Sequence, residues 1–85
     1  MATFKILYWQ QIPSQVSAED EQDEVTVPMP PRFLARIDHV AMTSGLAGSD
    51  DYLAQWRWSE EEERPGTAQE VAEAVAAELA AHSDW

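Results

Sequence analysis

Apolar and polar positions along the chain fall into segments of different period. Thr3 to Trp9, TFKILYW, alternates loosely, with Phe4, Ile6 and Tyr8 on one face and Lys5, Leu7 and Trp9 on the other. Apolar bulk on both faces predicts a central strand. Pro13 has no N–H to give to a ladder and marks a bend or bulge, after which Ser14 to Ser17 resumes pairing. Residues 18–24, AEDEQDE, lack periodicity and apolar anchors and predict a solvated hairpin tip. EVTVPM then sets Val25 and Val27 against Glu24 and Thr26, a strand with one wet face that stops at Pro28.

The period changes to that of a helix after the prolines. Pro30 and Pro31 suit a first turn, where a missing N–H costs nothing, and Phe33, Leu34, Ile37, Val40 and Ala41 form one apolar stripe. Gly45 followed by Leu46 has the form of a left-handed stop with a hydrophobic clasp, so the helix is predicted over residues 31–44. Ser49 with Asp50 and Asp51 announces another helix start, with carboxylates near the positive end of the dipole. In QWRWSEEEERPG, two tryptophans two residues apart share a strand face but not a helix face. A short helix over residues 50–55 passing into a strand over 56–62 is therefore expected, with Trp56 and Trp58 in the core, Arg57 outward and the glutamates forming a charged edge. Thr67-Ala-Gln-Glu70 is a capping box, and Ala68, Val71, Ala72, Val75 and Leu79 continue it as a helical stripe, with His82 and Trp85 trailing off. The order predicts a single α+β domain over 1–85: a small, mainly antiparallel sheet of three or four strands with two main helices on one face.

Length changes the picture by limiting the core. A chain of 85 residues buries only roughly 60 to 65% of the surface its unfolded form exposes. The absence of cysteine removes disulfides, thiolate metal sites and thiol nucleophiles. The amino terminus, MATFKILYWQQ, is too short in apolar run for a signal or a membrane span, which points to the cytoplasm. Sixteen acidic residues against five basic ones give a net charge of −11, which disfavours nucleic acid and anionic membranes and favours a basic partner.

Chemistry is sparse. Asp38 and His39 are adjacent on a helix and point about 100° apart, so they do not converge on a metal. Ser14, Ser17, Ser44, Ser49, Ser59 and Ser83 have no nucleophile context, and the run Glu60–Glu63 is an exposed, hydrated acidic stretch without the protected setting that a general acid needs. Neither a catalytic residue, a metal site nor a cofactor is expected. The candidate binding residues are Arg32 and Arg36, spaced i,i+4 on the first helix, with Arg57, which together would hold a carboxylate or phosphate against Trp9 or Tyr8. Ser14 and Gln15 are candidates because polar residues at a strand end have no evident structural duty there.

The stretches LYWQQIPSQV, VPMPPRF, AMTSGLAGSDDYLAQWRWSEEEERPG and EVAEAVAAELA resemble the bacterial virulence factor domain, over nearly the whole chain. The resemblance is most specific at Tyr8, Trp9, Ile12, Pro13, Ser14, Gln15 and Val16 and at Trp56 to Gly66. Domains of this kind also occur at the end of conserved virulence factor C proteins. The resemblance implies a non-enzymatic accessory or interaction domain of the bacterial cytoplasm, with a surface at Ile12–Val16 and Arg57. It also associates stand-alone members with one-carbon enzymes, which makes such an enzyme a partner class. The alternative is a binder of a small anion, a folate or a phosphate ester.

Overall fold

The structure is a computed structural model that describes residues 1–46, 48 and 50–82. The expected cap at Ser49, Ser83 and the chain end at Trp85 lie outside the described residues. The elements are β1 (Ala2–Trp9), β2 (Ile12–Glu19), β3 (Glu24–Pro28), α1 (Pro31–Thr43), α2 (Asp50–Ala54), β4 (Trp56–Trp58), β5 (Glu62–Arg64) and α3 (Ala68–Ala81). All the strand pairings are antiparallel, in the order β3-β2-β1, with β4 and β5 both lying along the outer edge of β1. The α+β class is as expected, and β1 is the central strand that its two apolar faces predict.

The expected strand over 56–62 is in fact two short ones. Leu7 pairs Trp58 and Phe4 pairs Glu62, so three steps along β1 correspond to four along its partner. The surplus residue breaks the ladder. Ser59 repairs the break: its N–H donates to the Ile6 carbonyl at 2.8 Å, and its Oγ accepts from the Ile6 N–H at 2.8 Å. A hydroxyl thus stands in for the carbonyl a continuous strand would supply.

A second irregularity moves Trp9. Leu7 faces Gln15 but Tyr8 faces Pro13, leaving Ser14 as an extra residue in β2. Burial along β1 follows Ala2, Phe4 and Ile6 and then slips to Trp9, which is 0% exposed. Simple alternation groups Trp9 with half-buried Lys5 and Leu7; the structure makes it the largest wholly buried side chain. Its indole N–H donates to the Tyr52 carbonyl of α2 at 3.0 Å, which satisfies the one polar atom it takes into the core.

The helices end where their sequences require. Pro31 opens α1, and at its far end Leu46 N–H donates to the Ala41 carbonyl and Gly45 N–H to that of Met42. Gly45 has φ +73°, the left-handed geometry of this stop. The capping box of α3 is present in both directions, Glu70 N–H to Thr67 Oγ1 and Thr67 N–H to Glu70 Oε1. Ala68, Val71, Ala72, Val75 and Ala76 of α3 are buried, and the small alanines bring this helix close to β1, β2 and β3. Val16, Ala18, Phe4 and Ile6 meet them, while Phe33, Ile37 and Ala41 of α1 complete the core.

The acidic tip is more than solvated chain. Asp20 Oδ1 accepts from the N–H groups of Gln22 and Asp23, and Oδ2 from that of Ala68, the first residue of α3, all at 2.7 Å. These backbone donors, Ala68 foremost, hold the Asp20 carboxyl below its ordinary pKa of 3.8. One side chain closes the β2–β3 turn and caps a helix 48 residues away.

Ser59→Ala is expected to destabilise the fold by about 1–3 kcal/mol in urea denaturation, because Ile6 N–H loses its acceptor; an unchanged midpoint would refute that role. A depressed Asp20 pKa adds stability above the unfolded value and loses it as pH falls through the folded one. The stability advantage of wild type over Asp20→Asn should therefore shrink between about pH 6 and about pH 2. A difference independent of pH would show that the carboxylate charge is not the stabilising element.

Candidate functional site

Two places gather the side chains with chemical potential. The first lies at the β1–β2 hairpin end, where Gln10, Gln11, Ile12, Arg36, Val40 and Arg57 line an open cleft of about 540 Å³. Arg57 sits on β4 opposite Tyr8, with its guanidinium 5.4 Å from the Tyr8 ring centroid and Nη2 donating to the Gln10 carbonyl at 3.2 Å. A planar cation seated over a ring and tied to a carbonyl has few orientations left. Arg36 and Val40, one turn apart on α1, form the facing wall.

Gln10 is held as firmly. It has φ +56°, the only positive value at a non-glycine residue among those described. Its N–H donates to the Gln55 carbonyl at 3.2 Å while its own carbonyl receives Arg57. Left-handed geometry costs an L-residue about 1–2 kcal/mol, and here contacts from Gln55 and Arg57, on either side of Trp56, maintain it.

The second place is the sheet face away from α3. Register sets Pro28, Gln15, Leu7 and Trp58 in one row and Thr26, Ser17 and Lys5 in the next. Trp58 is 45% exposed and Lys5 Nζ lies 4.4 Å from its ring centroid. This corrects the expectation of a shared core role: Trp56 packs partly buried against the core, and Trp58 does not. Thr3, Lys5, Ser17, Glu19, Glu24 and Glu61 surround a shallow depression of about 110 Å³ beside it.

The candidate residues separate accordingly. Arg36 and Arg57 share the cleft, whereas Arg32 turns the other way and donates to the Ala80 carbonyl at the C-terminal end of α3, at 2.8 Å. Trp9 presents no exposed face. Ser14 is buried, its hydroxyl donating to the Leu7 carbonyl and its own carbonyl accepting from Met29 N–H, both at 3.0 Å. It has the structural duty that sequence did not reveal. Gln15 is half-buried between Leu7 and Pro28. Of the surface expected at Ile12–Val16, Ile12, Pro13, Ser14 and Val16 are buried. Sequence reading missed Lys5 over Trp58 and the strained Gln10; a two-residue turn without glycine in WQQI was the available signal for the latter.

Titration follows the framework. Besides Asp20, Glu78 is lowered by its hydrogen bond to Arg64, and Arg64 is raised by the same bond. Each shift favours the charged form. Among the described residues no group of three or more His, Cys, Asp or Glu side chains is placed to hold a metal, and no helix is long and apolar enough to cross a membrane. Asp38 and His39 are both exposed on α1.

A family model described as virulence factor matches residues 7–84. No curated protein and no solved structure matches the chain.

Gln10→Gly should relieve the left-handed strain and raise stability by about 1 kcal/mol or less, whereas Gln10→Val should lower it by about 1–2 kcal/mol. Urea midpoints check both, and a glycine variant no more stable than wild type would place the strain elsewhere.

Proposed function

The chain belongs to the virulence factor family, and on that premise we propose that it is a non-enzymatic accessory domain of the bacterial cytoplasm that docks a protein partner on the uncovered face of its sheet. The observation that carries this reading is Trp58. In a domain short of core material, a large indole is left nearly half exposed beside half-buried Leu7, under the ammonium of Lys5. An exposed indole beside Leu7, on a face whose next row is Thr26, Ser17 and Lys5, suits an interface anchor. Glu19, Glu24 and Glu61 border the neighbouring depression, so the complementary segment carries an apolar side chain for Trp58 and lysine or arginine for the carboxylates. A one-carbon enzyme with such a basic segment is the partner class that the family resemblance brings.

The non-enzymatic reading is supported by the direction of the titration shifts. A general acid or base needs a pKa moved toward neutrality, and Asp20, Glu78 and Arg64 are moved away from it by structural partners. Arg36 and Arg57, which both line the cleft at the hairpin end, favour a second reading, in which the domain binds a small anion such as a folate or phosphate ester.

Affinity capture from the native lysate should recover a partner with the wild-type chain and lose it with Trp58→Ser, a substitution expected to keep the fold because the indole is exposed. Cross-links from Lys5 should then map to a basic segment of that partner. Equal recovery by the two proteins, or a partner cross-linked only through other faces, would refute the docking face.

A further inference from the structure

β3 ends the sheet: in the order β3-β2-β1-β4 it pairs with β2 alone, and α3 packs over one of its faces. The ladder fixes which backbone groups point where. At one end the Asp23 carbonyl accepts from Asp20 N–H at 2.9 Å, at the other Met29 N–H donates to the Ser14 carbonyl at 3.0 Å, and the register between them has no bulge. Groups alternate along an antiparallel strand, so Val25 and Val27 turn theirs to β2. Glu24 and Thr26 then present N–H and carbonyl, and Pro28 its carbonyl, along the outer edge. No strand among the described residues takes up that edge. Side chains are sorted as well, with Val25 and Val27 half-buried against the core and Glu24 and Thr26 exposed on the other face.

Charge decides what can join there. Residues 11–30 hold five carboxylates and no lysine or arginine, and Glu24 stands directly across from Glu19, a like-charged pair. Charges and a proline ordinarily guard an edge strand against aggregation, but here the guard has one sign. It repels a second copy of this chain, at net charge −11, and attracts a cationic strand. We propose that β3 is a strand-addition site for an extended basic segment of a partner protein, which joins antiparallel at the outer edge. The site goes beyond the Trp58 docking face, because Trp58 lies on β4, at the opposite side of the sheet. Main-chain bonds to Glu24, Thr26 and Pro28 supply affinity, and alternate side chains supply selectivity. Opposite Val25 and Val27 the segment carries apolar residues, which extend the core on the α3 side. Opposite Thr26 it carries a β-branched residue, and opposite Glu24 a lysine or arginine.

The probe is the peptide acetyl-Thr-Val-Thr-Val-Lys-Gly-Lys-amide, titrated into ¹⁵N-labelled protein and followed by NMR at physiological salt. In the proposed register its second threonine lies opposite Thr26 and its first lysine opposite Glu24. Saturable shifts and slowed hydrogen exchange are expected at the Glu24 and Thr26 amides, with a dissociation constant of roughly millimolar or below. Thr26→Pro removes an outward N–H but no bond to β2, and should weaken binding about tenfold or more. Should that variant fail to fold, the peptide carries the same test. N-methylation at its second threonine, whose N–H faces β3, should abolish binding, whereas N-methylation at the following valine, whose N–H faces away, should not. Glutamate in place of both lysines should weaken binding about tenfold or more. Undiminished binding to a folded Thr26→Pro, indifference to the position of the methyl group, or equal binding of the glutamate peptide would overturn the site. So would the absence of shifts at Glu24 and Thr26 with roughly ten millimolar peptide. Trp58→Ser should leave this affinity unchanged, so the loss of this site would leave the Trp58 docking face to be decided by its own capture experiment.

Discussion

Everything at the hairpin end of the sheet depends on where the Trp9 indole goes. Its complete burial needs an acceptor for one N–H, and the Tyr52 carbonyl of α2 provides it. That bond fixes α2 against β1, with the Tyr52 ring 5.5 Å from the Trp9 ring. The chain leaves α2 directly into β4, so the register that pairs Trp56 with Trp9 also sets Arg57 over Tyr8. Gln55 and Arg57, flanking Trp56, then hold Gln10 from both sides. A buried ring and a cationic cleft are consequences of one placement.

The sheet tolerates this because its irregularities are each satisfied by a serine. Ser14 is the surplus residue in β2 and Ser59 lies at the step between β4 and β5, and each hydroxyl bonds to a backbone group of β1. A short side chain that can both donate and accept suits a ladder out of step, since it reaches back without occupying core volume. Two breaks in a sheet this small would otherwise leave backbone groups of the central strand without partners, at a cost of about 1–3 kcal/mol for each buried one.

Local rules made much of the fold legible. The Thr67–Glu70 box, the Gly45 stop, the prolines before Phe33 and the stripe of α3 each involve residues within a turn of one another, and each is where the sequence places it. What escaped reading was non-local. Asp20 looks like part of a solvated acidic run because the Ala68 amide it caps is distant in sequence. Ser14 looked like a binding residue for the same reason, its partners being on β1 and just before α1. Arg32 and Arg36 share a helix spacing, yet the end of α3 claims one and the cleft the other. Alternation also could not place Trp9 or separate Trp56 from Trp58, because bulges reset its phase.

The position of β1 has a consequence for how the chain is made. It is the central strand, and its second edge is covered by residues that follow about fifty to sixty positions later in the chain. Until these are synthesised, FKILYW can pair on one side only, and the other edge stays open to the strands of neighbouring nascent chains. The carboxylates that precede β4, the run from Glu19 to Glu24 foremost, then act before that edge is covered, as mutual repulsion between chains that are still incomplete.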